Sequence, residues 1–168
     1  DTARVISRYV DAVMIRLLDH EMVEELALNA TIPVINGLTK WSHPCQVMAD
    51  VMTYEERKGS IEGKTVAWAG DINNMSLTWM QAAARFNFDL RVACPKEFAP
   101  QQSVQGWRRN SGGRVEVCHD VMTAARDADL IVTDTWVSMG QNDSDQRHKA
   151  LQPFQVDGRV MGLAKPGA

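Results

Sequence analysis

An α/β fold of open, mainly parallel sheets flanked by helices is predicted for the 168-residue sequence from the order and spacing of its apolar segments. Short buried runs rich in β-branched residues alternate along the whole chain with longer stretches of helical period. The segment 64–133 reads β-α-β-α-β-α-β without a break, and strands separated by helices pair in parallel. Gly59, Pro95 and Ser111-Gly-Gly113 punctuate the pattern between segments rather than inside them.

Taken in order, residues 2–9 read as the end of a helix and 12–16 as a buried strand. Asp19 is a suitable N-cap for a helix over 20–28. Residues 33–36 form another short strand. Val47, Met48, Val51, Met52 and Tyr54 recur at helical spacing within 43–58, a helix that Gly59 closes. Met48 and Met52, with Met80 and Met122 further on, are expected in the core. The polar stretch Lys58-Gly-Ser-Ile-Glu-Gly63 is the best boundary, dividing the chain into domains at 1–58 and 59–168. After it come a strand at Thr65–Ala69, a helix over 73–86 and a strand over 90–93. A helix over 101–110, a turn at 111–113 and a strand over 114–118 follow. A helix over 120–127 capped by Asp120 then leads to a strand at Leu130–Thr133.

Hydrophobic residues make up 45% of the chain and charged residues 23%, which favours a packed core over disorder. A formal net charge of -3 without a basic stripe argues against general nucleic-acid binding. No apolar run reaches the length of a membrane span. Cys45, Cys94 and Cys118 fit neither a zinc pattern nor an even disulfide framework, so reduced thiols in a cytoplasmic enzyme are expected. The chain opens on Asp1 and closes on Leu163-Ala-Lys-Pro-Gly-Ala168, so a segment of a longer protein is expected.

Four places carry candidate chemistry. In Trp41-Ser-His43-Pro44-Cys45-Gln46, Pro44 suits the first turn of a helix. His43 and Gln46 then share the helix entrance, where free amides and the helix dipole favour an anion. A His that merely caps the helix or faces water fits the same pattern. Arg16 ends a strand, where a guanidinium suits phosphate, although a solvated Arg fits equally.

Trp68-Ala-Gly70-Asp71-Ile72-Asn73-Asn74-Met75 is a strand–turn–helix without the further glycines of a dinucleotide fingerprint. There Asp71 would repel a pyrophosphate. One of Asn73 and Asn74 caps the helix, and the other is left for a ligand carboxylate. Asp134-Thr-Trp-Val-Ser-Met-Gly140 follows the strand ending at Thr133, where open α/β sheets place ligand contacts. Asp134, Ser138 and Met139, set beside Asn74, suit the α-ammonium and α-carboxylate of an amino acid. His20, His119 and His148 are expected at the surface, and Asp143, Asp145, Arg147 and Lys149 on a solvated face.

Together with Asp1-Thr-Ala-Arg4 and Met14-Ile-Arg16, the motifs His43-Pro-Cys-Gln46, Gly70-Asp-Ile-Asn-Asn-Met75 and Asp134-Thr-Trp-Val-Ser-Met-Gly140 resemble the ornithine carbamoyltransferases. The likeness runs in order over essentially the whole chain. His-Pro-x-Gln is shared by carbamoyltransferases generally, and Asp-x-x-x-Ser-Met-Gly is the ornithine signature.

The resemblance implies part of a carbamoyl phosphate domain followed by most of a Rossmann-like ornithine-binding domain. By that resemblance Arg16, His43 and Gln46 bind carbamoyl phosphate, with Arg16 and His43 polarising the carbamoyl oxygen. Asn74 takes ornithine's α-carboxylate, Asp134 and Ser138 take its α-amino group, and the backbone at Met139 closes over it. Neither metal nor cofactor is implied, and family members form trimers or assemblies of trimers. The family's Ser-Thr-Arg-Thr-Arg and His-Cys-Leu-Pro motifs do not occur among these residues, so the chain alone is expected not to transfer carbamoyl. A carbamoyltransferase for another amine or amino acid, or a noncatalytic amino-acid-binding module, remain the alternative readings.

Overall fold

The computed structural model describes residues 1–99, 114–137 and 144–168. It holds the predicted α/β arrangement in two parallel sheets. After α1 (Thr2–Ile6), β1 (Val13–Arg16) and β2 (Val34–Leu38) pair in parallel across the crossover helix α2 (His20–Asn29). The register slips between Ile15 and Arg16, so Arg16 lies opposite Leu38 at the carboxyl end of the pair. Asp19 caps α2 by accepting from the Glu21 amide at 3.0 Å. Asp19→Ala is therefore expected to cost about 1 kcal/mol. In calorimetry that corresponds to a melting temperature lower by roughly 2–4 °C, and an unchanged value would contradict the cap.

α3 (Pro44–Lys58) starts on Pro44 and stops at Gly59, whose φ of 79° is natural for glycine alone. Its buried stripe is Val47 and Val51, with Tyr54 partly buried beside them. Met48 and Met52, expected in the core, are 52% and 61% exposed. Each follows a buried valine by one residue, which turns it about 100° around the axis, off the face that packs on α4 and β2. Met80 is buried as expected.

The second sheet contains β3 (Thr65–Ala69), β4 (Asp89–Ala93), β5 (Val115–Cys118) and β6 (Leu130–Thr133). All pairs are parallel, in the order β5-β4-β3-β6. Alternation along β3 sends Val66 and Trp68 to one face and Ala67 and Ala69 to the other. The first face packs on α3 and on α4 (Asn74–Phe86) through Val47, Val51, Trp79 and Met80, with Phe88 alongside. The alanine face lies under α5 (Val121–Ala125) and α7 (Gly158–Met161), where small side chains permit close approach. A sheet covered on both faces accounts for the near-continuous apolar runs 66–69 of β3 and 130–132 of β6, while β4 and β5 carry Asp89, Arg91 and Glu116.

Helix ends follow the local signals. Asn73 caps α4 in a reciprocal capping box with Ser76, and Asp120 caps α5. α5 ends earlier than expected, because the chain reaches a left-handed Asp127 with φ 54°. α6 (Ser144–Leu151) was not predicted as a helix. The helix expected over 101–110 and the turn at 111–113 lie outside the described residues. Among the described residues, no helix is long and apolar enough to cross a membrane.

Candidate active site

Strand order determines where a crevice can open. The chain runs from β3 outward to β4 and β5, then returns to place β6 on the other side of β3. The direction of winding reverses between β3 and β6, and ligands of open α/β sheets bind outside the carboxyl ends at such a point. Ala69 and Thr133, the last residues of the two strands, are register partners. Gly70-Asp71 and Asp134 therefore leave the sheet side by side. A cavity of about 1490 Å³ opens there, lined by Arg16, His43 and Gln46 on one side and by Asn74, Asp134 and Arg147 on the other.

The loop from Thr39 to Ser42 sets His43. Thr39 is fully buried, and its Oγ1 accepts from the amides of Trp41 at 3.2 Å and Ser42 at 3.1 Å. His20 Nδ1 lies 3.0 Å from the same oxygen, which makes His20 half-buried rather than the surface residue expected. The amide of His43 donates to Thr78 Oγ1 at 2.9 Å, and that hydroxyl donates to the Asn74 carbonyl at 2.6 Å. Asn74 Nδ2 in turn donates to the Thr39 carbonyl at 2.9 Å. α4 and the His43 loop are thus tied by a closed set of hydrogen bonds. The Asn74 amide, expected to be free, has one hydrogen in use, and among the described residues the other remains for a ligand.

His43 sits at the N-cap position of α3, yet its side chain makes no cap bond. Its Nδ1 is buried without a partner among the described residues. Burial lowers its pKa from the usual 6.5, and the Arg16 guanidinium lowers it further, against opposing pulls from Asp134 and Asp50. The ring is therefore neutral at pH 7, with one N–H to donate. We expect its NMR titration midpoint below 6.5 in the ligand-free protein. Arg16→Gln removes a repelling cation and should raise that midpoint; an unchanged or lower value would contradict the coupling.

Gln46 lies one turn into α3, and its Nε2 donates to Asp50 Oδ1 at 2.9 Å. A carboxylate only accepts, so the pairing keeps the amide nitrogen on that side and leaves the carbonyl oxygen for a ligand N–H. Asp134 accepts from the Thr135 amide at 2.7 Å through Oδ1, and from Asn73 Nδ2 at 3.3 Å through Oδ2. Ser138, Met139 and Gly140 of the same loop lie outside the described residues, as does Asp143.

One pair escaped the sequence reading altogether. Arg147, expected on a solvated face, is buried in an ion pair with Asp71, and each side chain is only 6% exposed. Its Nε donates to the Trp136 carbonyl at 2.7 Å, and its guanidinium lies 4.6 Å from the centre of the Phe98 ring. Burial pushes the Asp71 carboxyl up, and Arg147 opposes that shift. The partners are 76 residues apart, and α6 shows no apolar stripe beyond Leu151 that would mark Arg147 as buried. The only local hint was Asp71 itself, a carboxylate at the mouth of a strand.

The cysteines contribute little here. Cys94 is buried at the end of β4, and burial, with help from Cys118 and Asp71, pushes its thiol up to about 12, so it stays protonated.

Residues 1–56 match the family described as aspartate/ornithine carbamoyltransferase, carbamoyl-P binding domain. Residues 62–168 match the companion description, aspartate/ornithine carbamoyltransferase, Asp/Orn binding domain. The chain is 56% identical over its full length to the ornithine carbamoyltransferase of Bradyrhizobium diazoefficiens, covering 55% of that protein. It is also 56% identical to the enzyme of the same name from Rhodopseudomonas palustris, covering 54% of it. The chain therefore spans a little over half the length of the curated relatives it matches.

Among solved structures, the ornithine carbamoyltransferase from Pyrococcus furiosus superposes with a TM-score of 0.89 at 48% identity, over 98% of this chain and 54% of that one. The anabolic ornithine carbamoyltransferase from Campylobacter jejuni gives 0.91 at 36% identity, over 99% of this chain and 57% of that one.

Proposed function

The chain belongs to the aspartate/ornithine carbamoyltransferase family, and from that premise we propose that it supplies the two facing sides of a site that carbamoylates L-ornithine. The reaction takes carbamoyl phosphate and ornithine to L-citrulline and phosphate. In this reading residues 1–58 belong to the carbamoyl phosphate domain and 59–168 to the ornithine domain. The observation that carries it is the convergence of Arg16, His43 and Gln46 with Asn74 and Asp134 on one cavity.

Each side chain has a role suited to its chemistry. Arg16 and His43 bind carbamoyl phosphate and stabilise the negative charge that grows on the carbamoyl oxygen as the tetrahedral species forms. The Gln46 carbonyl accepts from the carbamoyl nitrogen. Asn74 donates to ornithine's α-carboxylate, and Asp134 accepts from its α-ammonium. Ser138 and the backbone of Met139 join that end on the strength of the family resemblance. The neutral δ-amine forms a bond to the carbamoyl carbon. The bond from that carbon to the phosphate oxygen then breaks, its electron pair leaves with phosphate, and the former amine nitrogen loses a proton. Catalysis is by positioning and fixed charge.

Asp134 favours ornithine over aspartate, because its carboxylate attracts an α-ammonium and repels a second carboxylate on the substrate. The test is a citrulline assay on the full-length polypeptide with ornithine, aspartate, putrescine and N-acetylornithine offered in turn. Transfer to ornithine alone is expected, and equal or greater transfer to aspartate would refute the assignment. The same reading takes the full-length protein to be a homotrimer or an assembly of trimers, to be checked by mass from light scattering.

A further inference from the structure

We infer that Arg147 is a positioning residue that sets substrate preference, by neutralising the buried carboxylate of Asp71 beside the amine-reading Asp134. The inference rests on the proposed reading of Asp134 as the partner of the α-ammonium.

Asp71 and Asp134 are brought together by the register of β3 and β6, and a single amide spans them. Asn73 Nδ2 lies 3.2 Å from Asp71 Oδ1 and 3.3 Å from Asp134 Oδ2. Asn73 is held in place from its other side, because its Oδ1 accepts from the Met75 and Ser76 amides at the start of α4. It therefore aims both carboxylates but supplies no charge to separate them.

Arg147 supplies that charge. It takes the remaining oxygen of Asp71, Oδ2, in a site from which water is nearly excluded. Its Nε is fastened to the Trp136 carbonyl, two residues beyond Asp134. One side chain thus neutralises the inner carboxylate and braces the strand exit that carries the outer one. Of the two carboxylates at these strand exits, Asp134 is then the one that Arg147 does not pair with among the described residues.

The charge count matters for a zwitterion. A substrate with its α-ammonium on Asp134 brings its own carboxylate close by, toward Asn74. Were Arg147 absent, burial would raise the Asp71 carboxyl further, and only above that raised pKa would the doubled negative charge repel that carboxylate while attracting any simple diamine. A buried ion pair contributes little to stability relative to apolar side chains of the same volume, so stability alone does not call for these charges.

The experiment compares R147M, D71N/R147M and the parent in the full-length polypeptide. It measures KM for L-ornithine and the inhibition constant of putrescine, which has the amines without the carboxylate. Measured at rising pH, R147M is expected to lower the preference for ornithine over putrescine by about tenfold or more once Asp71 ionises. D71N/R147M, with both charges removed, is expected to return the preference to within about threefold of the parent. Loss of activity in R147M and D71N/R147M alike, with the preference unchanged, would mean that Arg147 is only a structural tie and would overturn the proposal. If R147M fails to fold, D71N decides: it removes the charge that offsets the Arg147 cation beside Asp134, so the preference for ornithine over putrescine should rise by about threefold or more, and an unchanged preference overturns the proposal. A parent protein that makes no citrulline from ornithine would instead overturn the functional reading, and this proposal with it.

Discussion

His43→Ala in the full-length polypeptide is expected to lower kcat for carbamoyl transfer by about 10²–10³, the usual effect of deleting one preorganised oxyanion donor. The ring that is lost sits beside Arg16 at the entrance of α3, half-buried, with an Nδ1 that has no partner among the described residues. Burial and Arg16 hold it neutral at pH 7, so what disappears is a neutral imidazole on the cavity wall. The backbone bond from His43 to Thr78 does not depend on the side chain, so the loop should hold its shape. KM for ornithine should change by less than about threefold, because His43 is not assigned to the amino acid. Saturation kinetics in both substrates check this. A kcat within about tenfold of the parent would remove His43 from the proposed chemistry.

Asp134→Asn is expected to act on the other substrate. The change keeps the shape but removes the charge read by the α-ammonium, and it turns one of the two acceptors, facing the Thr135 amide or Asn73 Nδ2, into a donor. Removing one member of a desolvated charge pair costs about 2–5 kcal/mol, so kcat/KM for ornithine should fall by about 10²–10³. Calorimetric titration should show carbamoyl phosphate binding nearly unchanged. Asp134 also raises the His43 pKa, so its loss makes that ring more firmly neutral. Protonation of His43 therefore does not explain the lost rate. Ornithine affinity within about threefold of the parent would exclude Asp134 as the ammonium partner.

Much of this fold is legible residue by residue. Asp19, Asn73 and Asp120 announce helix starts because a short polar side chain can satisfy free amides within its own turn. Pro44 and Gly59 bracket α3 for equally local reasons. The candidate site was also largely readable as a set of residues, since each of Arg16, His43, Gln46, Asn74 and Asp134 lies at a strand end or helix start. Met48 and Met52 misled, because a helical period names two adjacent stripes and only packing chooses which one is buried. His20 misled in a similar way: its partner Thr39 lies nineteen residues on, across a strand.

From sequence alone come the alternation of strand and helix, the caps and the candidate residues, because these depend on interactions within a few positions. Tertiary structure decided that β6 returns beside β3, so that a crevice opens where Asp71 and Asp134 emerge together. It also decided that Arg147 is buried rather than solvated. An exposed and a buried arginine look identical along the chain, and only the approach of a distant carboxylate in a nearly water-free site distinguishes them.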